Sequence, residues 1–291
     1  MTIRNDASLR GKSKALAKKH GLSSQELIQM YLFERFLVRL SNSRHKNSFI
    51  LIGGLLISKL IGISNRTTMD MDVTLNALSL NEDTVERVIG EVCAIDSDDG
   101  ILFSYERCEP IRSDDDYGGI RAHLRAKFGR MDAAMKIDFT TGDVITPASI
   151  EYPFPMLFEE RTINLMTYPI ETCLAEKFEG IVKRGVLTTR ARDLYDLACL
   201  LQFYGDTLHW DTVASAIRNT AEHRETLPLM YTYEQVCNEM LQSADVIKIW
   251  ENYTDRNRYA KKIALPDAIE AVRAVGRKTL GNENEALLPE S

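Results

Sequence analysis

The chain has 291 residues, 44% of them hydrophobic and 27% charged, with a formal net charge of -6. That balance is ordinary for a folded globular protein with room for two domains, and it argues against disorder and against a polyelectrolyte that binds nucleic acid over its whole surface. No apolar run approaches the ~18 residues of a membrane span and no signal-like stretch is present, so the expected location is the cytosol, with no membrane partner.

Residues 4 to 20 carry Arg4, Arg10, Lys12, Lys14, Lys18 and Lys19 against Asp6, which reads first as a solvated helix face. "SSQE" at 23 to 26 has the spacing of a capping box, and "LIQMYLFERFLVRLS" then continues apolar at helical intervals. In "SFILIGGLLISKLIGI", Phe49 to Ile52 predict a buried strand, Gly53 and Gly54 a tight turn, and Leu55 to Ile61 a short helix. "DMDVTL" (70 to 75) is the next strand, and Val85, Val88, Ile89 and Val92 mark a helix entered from Leu80 or Asn81.

Acidic turns at 96 to 100 and 113 to 119 flank the strand "ILFSYERC"; neither fits a calcium loop, and solvated turns are expected. "IRAHLRAKFG" and "AMKIDFT" alternate as half-exposed strands. Pro147, Pro153 and Pro155 predict a crossing loop before the short strand "TINLMTY". From Ile170 the pattern is helical, through "ETCLAEKFEGIVKRG", "RDLYDLACLLQFYG", "WDTVASAIRNTAEHR", "TYEQVCNEMLQS" and "DAIEAVRAVGRK". The expected organisation is helices over 1–47, an α/β core over 48–168, a helical domain over 169–280 and a frayed tail over 281–291. Cys93, Cys108, Cys173, Cys199 and Cys237 form no C-x-x-C, so buried thiols are expected rather than disulfides or zinc.

Asp70 and Asp72 would share one strand face, where like charges repel. With Asp138 on a neighbouring strand the cluster becomes costly unless a cation is present, and magnesium suits it, since that ion binds through one or two carboxylates and completes its shell with water and phosphate oxygens. The upstream Gly53-Gly54 turn would present backbone N–H groups to a phosphate. Glycine turn, D-x-D and a later strand-borne Asp are the parts of a phosphoryl- or nucleotidyl-transfer site.

In the helical half, Lys177 lies on or beside an apolar face. It is either a side chain snorkelling to water or an ammonium aimed into a cleft to meet a triphosphate. Asp193 and Asp196 share a helix face with Arg192 beside them, and on the residues alone a dipole-stabilised helix start accounts for them.

Together, "FILIGGLLISKLIG", "RTTMDMDVTL", "MKIDFTTGDVITP" and "YPIETCLAEKFEGIVKRGVLTTRARDLYDL" resemble the AbiEii/AbiGii-type nucleotidyltransferase toxins of bacterial toxin–antitoxin and abortive-infection systems, over about residues 10 to 265. The resemblance implies an α/β (α+β) fold: a polymerase-β-like core with a mixed sheet, then a C-terminal helical domain, with the active site in the groove between them. It implies a magnesium-dependent enzyme that uses an NTP, an RNA acceptor such as the tRNA 3′ end, growth arrest as the outcome, and a cognate antitoxin encoded nearby. By motif position, Gly53 and Gly54 would form the phosphate turn, Asp70 and Asp72 would hold the metal, and Asp138 would be a third acid or a support. Lys177 and Arg192 would contact the nucleotide, Asp193 would complete the groove, and Arg66 would be the basic residue before the D-x-D. Relatives commonly read "LKGG" where this chain has Ile52. The missing charge would weaken nucleotide binding unless Lys59 replaces it. Two further readings stay open: the same chemistry on a protein or small molecule, and a silent nucleotide-binding regulatory module.

Overall fold

The structure, a computed structural model, describes residues 3–111 and 118–281. The acidic turn at 113 to 117 and the tail beyond 281 lie outside the described residues. The chain divides into two compact units, residues 1–143 with 149–167, and residues 144–148 with 168–291.

In the first unit, α1 (Asp6–His20) and α2 (Ser24–Ser41) precede β1 (Phe49–Ile52), α3 (Gly53–Leu60), β2 (Met71–Leu75) and α4 (Glu82–Cys93). β3 (Ile101–Ile111), β4 (Gly119–Phe128), β5 (Met131–Thr141), β6 (Ile150–Pro155) and β7 (Thr162–Thr167) follow. The expected cap is present: the Ser23 hydroxyl accepts from the Glu26 N–H. α3 starts at Gly53 itself rather than after a Gly-Gly turn, and Asp70 lies just outside β2.

The strands form one mixed sheet in the order β3-β4-β5-β2-β1-β7-β6, with β2 parallel to β5 and β1 parallel to β7. β6 was expected to be loop. Its Pro153 and Pro155 are tolerated because β6 is the sheet edge, where a missing N–H breaks no ladder on the open side.

One sheet face is buried. Ala122, Leu124, Ala126 and Ile137 are fully inaccessible, Phe36 of α2 meets Phe103 edge-on at 5.9 Å, and the apolar stripe of α4 packs on β3. Each large apolar side chain so buried contributes roughly 1.5–3 kcal/mol. The alternation of β4 turns Arg121, His123, Arg125 and Lys127 to the other face, as the sequence pattern predicts. α1 and α2 belong to this unit and not to a separate domain, since α2 is buried almost throughout and packs on α4 and β7.

The second unit contains α5 (Ile170–Arg184), α6 (Ala191–Tyr204), α7 (Trp210–His223), α8 (Leu227–Met230), α9 (Tyr233–Gln242), α10 (Ala244–Arg256) and α11 (Leu265–Thr279). α5 packs on α6 and α7, and α11 on α6, α7 and α9, around Leu174, Phe178, Leu197, Val213, Ile217 and Val272. Residues 144–148 join this unit through hydrogen bonds: the Thr146 N–H donates to Thr172 Oγ1 at 3.0 Å, and Asn219 Nδ2 donates to Thr146 Oγ1 at 3.0 Å. No described helix is long and apolar enough to cross a membrane.

Candidate active site

At the β1–α3 junction the chain turns at Gly53 with φ of 65°, a left-handed conformation that glycine adopts without strain. A Cβ there would lie 2.2 Å from Oδ2 of Asp72, so only glycine lets that carboxylate rest against the backbone at the start of α3. A Cβ on Gly54 would come within 3.0 Å of both Arg66 Nη2 and Thr68 Oγ1. Each glycine of the pair therefore has its own reason: Gly53 faces the D-x-D itself, and Gly54 the segment leading into it. The first N–H groups of α3, free of intrahelical partners, lie beside these contacts.

β2 carries Asp72 directly opposite Ile52 of β1 and opposite Asp138 of β5, so the three share a sheet face. Asp72 and Asp138 are half-buried. Asp70, also half-buried, is held in the approach to β2 by its N–H donating to Thr68 Oγ1 at 3.2 Å. The expected three-acid ligand set is not gathered: among the described residues no group of three His, Cys, Asp or Glu side chains is arranged around a metal position. Asp138 is in register, but both its oxygens accept from Arg121, from Nε and Nη2 at 2.7 Å each. The guanidinium is held charged more firmly than usual, chiefly by this hydrogen bond, with Asp70 and Glu109 adding to it.

Arg66 is fully buried, with Nη1 donating to the Thr67 carbonyl. Lys59 does not stand in for the missing lysine at position 52. Its ammonium is buried against Glu34 and lies 5.0 Å from the centre of the Phe154 ring. Burial pushes the Glu34 carboxyl up while Lys59 pulls it down, and both Glu34 oxygens also accept from the Leu157 N–H at 2.9 Å. Lys59 thus ties α3 to α2 and to β6, and Glu34 ties α2 to the chain after β6.

In the helical unit Lys177 of α5 donates to Asp193 Oδ1 of α6 and lies 3.5 Å from Asp196 Oδ2. Arg184 and Arg190 stand 3.9 Å from Asp193 Oδ2. Burial opposes the charge on Asp193, but Lys177 outweighs it, with help from Arg190 and Arg184, and holds the carboxyl below its usual range. Asp193 and Asp196 do share the face expected for them. Arg192 is exposed and forms no part of this cluster.

Residues 35–275 match the family model described as nucleotidyl transferase AbiEii toxin, type IV toxin–antitoxin system. The chain belongs to the AbiEii nucleotidyltransferase toxin family. Among solved structures it is similar to MenT4, a nucleotidyltransferase toxin from Mycobacterium tuberculosis H37Rv, at 17% identity and a TM-score of 0.54, covering 93% of this chain and 99% of that one. It is also similar to JHP933 from Helicobacter pylori, at 17% identity and a TM-score of 0.49, covering 91% of this chain and 96% of that one. No functionally curated protein gives a match.

This AbiEii toxin is therefore a nucleotidyltransferase, with a nucleotide substrate and an antitoxin partner. A divalent ion fits the chemistry of the residues present: Asp70 and Asp72 offer hard carboxylate oxygens, and the missing Cβ at Gly53 makes room for the Asp72 carboxylate itself. The sequence reading missed Arg121, Thr68 and Glu34. The alternation of "IRAHLRAKFG" does place Arg121 on the open face, but its partner depends on a cross-strand register that alternation does not fix.

Proposed function

We propose that this AbiEii toxin transfers a nucleoside monophosphate from an NTP to a hydroxyl of an RNA, with the 3′ end of a tRNA as acceptor, magnesium as the metal and growth arrest as the result. The observation that carries the reading is the fit of the Asp72 carboxylate against the glycine start of α3, which sets an anion-binding backbone beside a cation-binding acid.

Asp70 and Asp72 would hold the metal, which when bound stabilises charge on the transferring phosphate and orients the acceptor oxygen. The α3 backbone N–H groups would receive phosphate oxygens, and Lys177 would supply a positive charge to a nucleotide. One aspartate accepts the hydroxyl proton as the new bond forms from oxygen to the α-phosphorus. The bond to the bridging oxygen breaks and pyrophosphate leaves. Arg4, Arg10, Lys14, Lys18 and Lys19 are exposed and would meet RNA phosphates.

The test is incubation with each labelled NTP, total tRNA and magnesium. Labelled RNA that disappears with Asp72→Ala supports the reading. Label in a protein band redirects it to a protein acceptor, and no label with any NTP or divalent ion overturns it.

A further inference from the structure

The open face of the sheet next to the candidate metal site carries a cation of its own. Arg121 sits directly across from Asp138 and covers both carboxylate oxygens with a two-pronged hydrogen bond at 2.7 Å per prong. Such a fork is the strongest geometry available between these side chains, and it leaves an approaching ion little of the carboxylate that is not already facing a guanidinium.

The arginine is held from its other side as well. Glu109 of β3 lies directly across from it, and is itself held by His123 at 2.8 Å and by Arg107. Arg121 therefore stands between two carboxylates and would give up charge compensation on both sides by leaving.

Asp138 is in register with Asp72, so a dication shared between these acids would lie close to the guanidinium, with twice the repulsion of a single charge. Two-metal phosphoryl-transfer sites need carboxylates placed to serve both ions. In this chain the carboxylate that a second ion would need is already neutralised.

We propose that Arg121 is a built-in cation that occupies Asp138 in place of a second metal, so that the acidic site takes one divalent ion, on Asp70 and Asp72, and admits another at Asp138 only when Arg121 is removed. This rests on the metal-dependent reading of the site given above. Arg121 is a positioning residue, since it acts through Asp138.

The test counts manganese ions bound to the full-length protein by electron paramagnetic resonance, without nucleotide, using the loss of the free-ion signal. Wild type is expected to bind one ion, Arg121→Gln two, Arg121→Gln with Asp138→Asn one, and Asp72→Asn none. Two ions on wild type would overturn the inference while leaving the metal-dependent function intact, and so would a single ion on Arg121→Gln. No binding to either would overturn both.

Should Arg121→Gln fail to give a cooperative melt, Arg121→Lys replaces it. One ammonium cannot cover both oxygens, so this variant is expected to take the second ion at least ten-fold more weakly than the first. A second ion bound there as tightly as the first would overturn the proposal, because a retained cation would then not be excluding it.

Discussion

In the sheet unit, Asp70, Asp72 and Asp138 stay half-buried beside Arg121 and the buried Arg66, whereas in the helical unit Asp193 and Asp196 are sunk among Lys177, Arg184 and Arg190. The first group holds three carboxylates against two cations, and the second three cations against two carboxylates. One is short of positive charge and the other has it in excess. A group short of positive charge favours a cation, and a group with positive charge in excess favours an anion. The difference also separates function from stability. A half-open acid is free to exchange partners, while a buried pair that loses one member leaves a charge that water cannot reach.

The largest effect should follow from breaking the first group at its centre. Asp72→Ala is expected to lower nucleotide incorporation by about 1,000-fold or more. Its melting temperature should stay close to wild type, because Asp72 is only half-buried. A large loss of both activity and stability would instead make Asp72 a structural residue.

Next comes Lys59→Met, which leaves Glu34 buried without its ammonium. The expected cost is about 3–5 kcal/mol of unfolding free energy by denaturant titration. The folded fraction should bind nucleotide as wild type does. Weaker nucleotide binding with unchanged stability would return Lys59 to the role of phosphate ligand.

How far the sequence disclosed this arrangement depended on the range of each signal. Local signals were readable: the Ser23 cap, the β4 and β5 alternation, and the Gly53-Gly54 pair ahead of the D-x-D, whose stereochemical reasons now stand at Asp72, Arg66 and Thr68. Signals that depend on position in the tertiary structure were not. Pro153 and Pro155 read as loop because their edge location is a property of the whole sheet. α10 did not stand out as a helix because it buries little besides Val246 and Trp250, too few apolar positions to form a clear stripe. Glu34 and Arg35, adjacent charges inside the apolar helix, are both buried, paired with Lys59 and with Glu159, and neither partner could be read from helical spacing. Period and spacing fix which face a side chain takes, and the partner on that face comes only with the register.

The contrast between the two acid groups is sharpened by pH. Asp193 titrates below its ordinary 3.8 in the folded chain, so folding favours its charged form. That contribution is complete above the unfolded value and is lost as pH falls through the folded one. Asp193→Asn should therefore destabilise by about 1–3 kcal/mol near neutrality. The gap to wild type should be full near neutrality and close as acidification carries the pH below the folded value. A gap that is the same at both ends would mean that packing, and not the charge, holds α5 to α6.

The smallest expected effect concerns Ile52. It is in register with Asp72 and on the same sheet face, so a lysine there would place an ammonium next to the carboxylate and beside the start of α3. Ile52→Lys supplies the charge that the family resemblance leads one to expect one residue before the glycines. Ile52 is buried and Asp72 half-buried, so desolvation of the new ammonium offsets much of the pair's attraction. With a net gain of about 1 kcal/mol at most, KM for the NTP should fall by no more than about five-fold, with kcat little changed. The direction is the informative part. A lower KM means that the added charge reaches the triphosphate, as the comparison of the two groups requires of a site short of cations. A higher KM means that the ammonium has settled on Asp72 and competes with the metal, and the sheet unit would then have to be read as holding its acids for the ion alone.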